Sequence, residues 1–159
     1  MSGSVMRTPQ SNTASIPKNH QIVARNSSRH RSCARQAANQ ARRVLPLFEQ
    51  EHPHDVRPRQ AIEAITAWAQ QKRELGMVQV RKLSLAAHAA ARQAKTDAAR
   101  FAARAAGQAI ATWHVPTHAT AVPPYVCKAL AASKNQVARG NRQYPRHLPS
   151  GCPPASAML

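Results

Sequence analysis

The sequence predicts an all-α protein, a compact bundle of about five helices between two basic tails, and three observations carry that prediction. Alanine supplies much of the apolar content, and it is the strongest helix former. Aromatic residues make up only 4% of the chain, and β-branched residues are also few, which disfavours strands. Apolar residues recur at helical rather than alternating spacing, as at Ile62, Ile65, Trp68 and Ala69. Alanine buries little area per residue, so the core must come from close helix contacts rather than bulky side chains. A chain of 159 residues is long enough for one domain with a modest core.

Residues 1–30 are polar, interrupted by Pro9 and Pro17 and poor in large apolar side chains. Such a segment buries too little to offset its ordering entropy, so it reads as a disordered basic tail. The helical domain is expected over 31–133. Its first helix starts near Ser32, a usable N-cap, with Leu45, Leu47 and Phe48 as core and a kink or new turn at Pro46. A Pro-rich connection, His52 to Pro58, then leads into a helix capped by Asp55, with Pro58 in its first turn and Ile62, Ile65, Trp68 and Ala69 on one stripe. Gly76 separates this helix from a third, Met77 to Ala94, with Val80, Leu83 and Ala87 inward and Arg81 and Lys82 outward. Thr96-Asp97 caps a fourth helix, which places Ala98, Phe101, Ala105, Ala109 and Trp113 on one side. After Pro116 comes a short turn, then a fifth helix from about Pro124 to Ser133. Residues 134–159 read as an irregular, basic, Pro-rich tail.

The formal charge of +17 is unevenly spread. Residues 1–43 carry +8 and residues 133–159 carry +4, both without an acid, while the centre carries +5. Such flanks attract polyanions without sequence specificity, so nucleic-acid binding through the basic tails is the alternative function. Three cysteines, Cys33, Cys127 and Cys152, have no short spacing; they form no disulfide framework and fit a reducing cytoplasm. No stretch approaches the roughly 18 apolar residues of a membrane span, and no apolar segment near the start reads as a secretory signal. A cytoplasmic protein without membrane contact is expected.

Reaction chemistry finds little support. There is no Gly-rich phosphate loop and no nucleophile elbow, and the six acids are dispersed. Six aromatic residues are too scattered for an RNA-stacking platform. No catalytic residue and no cofactor are expected. The sharpest local pattern is His114-x-x-x-His118, two histidines at a spacing that can face one metal on a helix. Pro116 lies between them and no glutamate sits inside the pattern, unlike the HExxH of metalloproteases. His88, His114 and His118 are therefore only weak metal candidates, and satisfied hydrogen bonding at a helix end is the simpler expectation. His88 is read as a half-buried polar residue between alanine surfaces that needs partners. Asp55, Arg57 and Arg59 suit capping and ion pairing at a helix entrance, with Glu63 as the i,i+4 partner of Arg59.

Four blocks in order resemble a helical immunity-protein family of bacterial polymorphic toxin systems. They are VLPLFEQEHPHDVRPRQAIEAITAWA (44–69), LAAHAAAR (85–92), ARAAGQAIATWHVPTHA (103–119) and YVCKAL (125–130), with RQYPRHLP (142–149) similar to the family's ending. The resemblance implies an all-helical cytoplasmic protein that binds and neutralises a cognate toxin and catalyses nothing itself. The family's polar positions fall on Asp55, Arg57, Pro58, His88, His114 and His118. With Arg59 added, Asp55, Arg57, His88, His114 and His118 are the expected partner-binding residues. The chain departs from the pattern at Val56, at Pro116 and Pro123-Pro124, and in its basic tails. Inhibitors of nucleases are generally acidic, so the charge points away from a basic nuclease and toward an acidic toxin.

Overall fold

The alanine-rich fourth helix becomes the centre of the bundle. In the computed structural model, which describes residues 26–143, five helices follow one another. They are α1 (Ser28–Glu49), α2 (Arg57–Ala69), α3 (Met77–Gln93), α4 (Asp97–Ala111) and α5 (Val122–Gln143), with a six-residue 3-10 helix, Pro116–Ala121, before α5. No strand occurs among the described residues. α4 packs against all four other helices. Ten of its fifteen residues are buried, and every one of them is alanine, glycine or isoleucine. A helix packed by four others over most of its circumference leaves little room for large side chains, and small ones let neighbouring backbones close in.

That geometry corrects the single apolar stripe expected on α4. Ala98, Ala105 and Ala109 are buried as foreseen, but so are Ala99, Ala102, Ala103, Ala106, Gly107 and Ile110, which leaves only the stripe Asp97, Arg100, Phe101, Arg104 and Gln108 outside the core. Phe101 is only partly buried, against Tyr125 of α5 at 6.4 Å between ring centroids. Trp113 lies beyond the end of the helix and packs on the core from outside. The larger core side chains come from the flanking helices: Val44 and Phe48 of α1, Ile62, Ile65 and Trp68 of α2, and Val80 of α3.

α1 begins at Ser28, four residues before the expected Ser32, because Ser27 is the cap; its hydroxyl accepts from the His30 N–H at 3.1 Å. The early turn is held by His30 itself, which is fully buried. Its Nε2–H donates to the Thr112 carbonyl at 2.7 Å and its Nδ1 accepts from the Asn26 N–H at 3.1 Å. Both ring nitrogens are satisfied, and the imidazole ties the start of α1 to the end of α4. The kink expected at Pro46 does not break the helix, which runs on to Glu49. Pro46 is exposed, so the carbonyl one turn back that loses its partner sits on the solvent side.

Val56, not Asp55, is the cap residue of α2 and makes no side-chain cap bond. Asp55 acts one position earlier, accepting the Arg57 N–H at 3.1 Å. α2 ends in a reversal in which Gln71 takes φ 60°, with Gln71 N–H bonded to Trp68 O and Lys72 N–H to Ala67 O. This is the pairing that usually employs glycine at the left-handed position. α5 starts two residues before and ends ten residues beyond the expected helix. Pro123 and Pro124 fall in its first turn, where backbone N–H groups have no intrahelical partner to lose. The tail expectations for residues 1–25 and 144–159 lie outside the described residues. Among the described residues, no helix is long and apolar enough to cross a membrane.

Candidate functional site

The residues singled out in the sequence gather at two ends of α4. At its C-terminal half, His88 from the middle of α3 lies against Gly107. A Cβ placed on Gly107 would stand 2.6 Å from His88 Cε1 and 2.8 Å from each ring nitrogen. Only a glycine leaves room for an imidazole pressed this closely onto a helix backbone. One turn along α3, Ser84 Oγ donates to the Gly107 carbonyl at 3.1 Å. Beyond α4, the turn carries His114 and the 3-10 helix carries His118, with ring centroids 5.2 Å apart. His118 donates through Nδ1 to Oε1 of Gln108 at 2.9 Å.

Burial pushes the pKa of His88 below the ordinary histidine value, with Arg104, Arg92 and His118 adding repulsion. His118 is pushed down in the same way, by burial first and then by His114. Both rings are therefore neutral at pH 7. Nδ1 of His88 and Nδ1 of His114 have no hydrogen-bond partner among the described residues. Yet no group of three or more His, Cys, Asp or Glu side chains among those residues is arranged to hold a metal ion. The two spaced histidines meet each other, but across a turn and a 3-10 helix rather than on one α-helical face.

Asp55 and Arg57 lie at the other end. Arg57 donates through Nε to Asp55 Oδ1 at 2.8 Å and through Nη2 to Asp55 Oδ2 at 2.6 Å, and its Nη2 also reaches Gln93 Oε1 at the end of α3. That hydrogen bonding holds the Asp55 carboxyl below the usual carboxylate range, ahead of the opposing effect of burial. Arg59 pairs with Glu49 of α1 at 2.7 Å rather than with Glu63 as expected. The two ends are about ten residues apart along α4, on the order of 15 Å, so the histidines and the Asp55–Arg57 pair do not share one surface.

Sequence reasoning missed the residue that organises the Asp55 end. Glu51 accepts from the backbone N–H groups of Lys95 and Thr96 and from the Thr96 hydroxyl at 2.6 Å. Thr96 in turn accepts the Ala99 N–H and caps α4. Burial pushes the Glu51 carboxyl up, but these donors together with His52 outweigh it and hold the group below its ordinary value. Nothing local marks Glu51, because its partners lie 44 and 45 residues away.

Between the two ends, α3 presents its outer side to solvent. It packs only against α2 and α4 among the described residues. Its first turns and His114 enclose an open groove of about 280 Å³ lined by Met77, Val80, Arg81, Ser84, Leu85 and His114.

A family model described as Imm-5 like putative immunity protein matches residues 24–148. No curated protein and no solved structure matches the chain.

Proposed function

The chain belongs to the Imm-5 like immunity protein family, and from that membership we propose that it binds a cognate toxin in the cytoplasm and neutralises it by stoichiometric occlusion. The observation that carries this reading is the extent of the family match, which takes in the whole described bundle. It performs no reaction of its own. The ionisable groups are compatible with an occluding role, because the acids at the Asp55 end are engaged in capping and ion pairing. The partner-binding residues are Asp55, Arg57, Arg59, His88, His114 and His118, of which His114 and His118 flank the exposed Val115 on one turn.

Co-expression with the toxin encoded by a neighbouring gene tests the proposal. The expected result is restored growth and a 1:1 or 2:2 complex by light scattering after gel filtration. Absence of both complex and rescue removes the proposal.

A basic nucleic-acid-binding role is the competing reading, and one observation favours it: α1 carries Arg29, Arg31, Arg35, Arg42 and Arg43 with a single acid, Glu49, at its end. It requires an affinity that falls steeply with salt, by about 0.9 log units per log unit of salt for each phosphate neutralised on duplex DNA. Salt-insensitive or absent binding rejects it.

A further inference from the structure

We infer that the outward face of α3 is the docking surface for an acidic segment of the partner, with an apolar side chain of that segment seated in the groove beside His114. The inference rests on the toxin-binding proposal and adds to it the place and the chemistry of contact.

Val78, Arg81, Lys82 and Leu85 stand at i, i+3, i+4 and i+7, and all four are exposed. That spacing puts them on one stripe of the helix, and Arg92 continues it two turns further on. Val78 is 84% and Leu85 58% exposed, and Met77 at the edge of the groove is 47% exposed. Single exposed apolar side chains are ordinary, but three within nine residues beside an open groove make a patch. α3 is also the helix with the fewest neighbours, packing on α2 and α4 alone among the described residues.

Charge identifies the occupant. Four of the six acids, Glu49, Glu51, Asp55 and Asp97, are engaged by partners at the opposite end. Arg81, Lys82 and Arg92 make no ion pair among the described residues; the nearest acid in sequence is Glu74 for the first two and Asp97, which pairs with Arg100, for Arg92. Three uncompensated cations on one stripe attract carboxylates over a Debye length and steer association. A phosphate backbone would use the cations but would gain nothing from Val78, Leu85 and the groove. A protein segment with an apolar anchor flanked by carboxylates uses all of them, in the arrangement of a buried anchor inside a polar rim.

The test uses the full-length protein and the co-encoded toxin. A photo-crosslinking amino acid at position 85 is expected to capture the toxin, and one at position 35 on α1 is not. Arg81→Glu with Lys82→Glu, and separately Leu85→Asp, are expected to weaken the complex at least tenfold while leaving the thermal midpoint unchanged. Arg35→Glu should bind as the parent does. If the parent complex forms and neutralises but neither α3 variant weakens it, the surface assignment falls and the toxin-binding proposal stands. If the parent forms no complex, both fall. Binding of duplex DNA that is abolished by the Arg81/Lys82 pair and untouched by Leu85→Asp would overturn the protein-docking assignment in favour of a nucleic-acid face.

Discussion

Substituting Gly107 by alanine should destabilise the protein, and the same substitution should stabilise it once His88 is removed. In a helix interior, glycine to alanine is worth about 1 kcal/mol in favour of alanine. Here the new methyl would lie 2.6 Å from His88 Cε1, well inside contact distance. The imidazole is half-buried on α3 with Arg104 and His118 nearby, so it cannot move without disturbing the contact between α3 and α4. Overpacking of this kind costs about 1–3 kcal/mol, which leaves Gly107→Ala less stable than the parent by roughly 1 kcal/mol. His88→Ala removes the obstacle, and Gly107→Ala made in that background should recover the helix-propensity gain of about 1 kcal/mol. The double-mutant cycle therefore carries a coupling of roughly 2 kcal/mol with a change of sign. Urea unfolding of the four proteins, followed by far-ultraviolet circular dichroism, reads it directly, provided the slopes agree. Equal stabilisation by Gly107→Ala in both backgrounds would refute the packing of His88 on Gly107.

Three further outcomes are expected. His88 and His118 titrate below the ordinary histidine value of 6.5, so the unfolded chain binds more protons once the pH drops below about 6.5. Their stabilisation is complete above that pH and is lost as the pH falls through the folded values, and the urea midpoint should drop between pH 7.5 and pH 5. His88→Asn should flatten that drop, and a parent midpoint that rises on acidification contradicts the assignment. Glu51→Ala removes the acceptor of two backbone amides and the Thr96 hydroxyl; hydrogen bonds to a charged group carry about 1.5–3 kcal/mol, so a loss of roughly 2–3 kcal/mol is expected from chemical denaturation, and a loss below half a kcal/mol would show that the loop is not held there. Gln71→Gly relieves a left-handed φ of 60° at the end of α2 and should raise stability by about 0.5–1 kcal/mol, checked as a higher thermal midpoint.

What was legible in the sequence was what local pattern controls. The stripe Ile62, Ile65, Trp68 and Ala69 and the Thr96 cap appear where spacing put them, because burial of one helix face and a capping hydroxyl act over a few residues. His88, His114 and His118 were visible as polar residues in an alanine background, and two of them do meet. What could not be read was any contact made across the chain. His30 and Thr112 are 82 residues apart, and their bond moves the start of α1 four residues earlier than the local cap signals suggest. Arg59 had an acid one turn ahead, yet Glu49, ten residues back, takes it because the α1–α2 reversal brings the two helices together. The breadth of burial on α4, ten residues of fifteen, was hidden for the same reason, since a wheel shows which residues share a side but not how many neighbours surround the helix.

The distribution of acids ties the fold to the proposed function. A strongly basic chain with six acids could scatter them to damp its own repulsion. Instead Glu51 caps the donors ahead of α4, Asp55 and Arg57 brace the start of α2 against the end of α3, Glu49 fixes α1 to α2, and Asp97 holds Arg100 at the head of α4. One end of the bundle thus consumes four of the six carboxylates in holding helices to one another. Of the remaining two, Glu63 and Glu74, neither lies on α3, where Arg81 and Lys82 stand between the exposed Val78 and Leu85. On the docking proposal, a charge reversal on α3 weakens toxin binding while the bundle stays folded, whereas Glu51→Ala lowers stability by roughly 2–3 kcal/mol and leaves the α3 face intact.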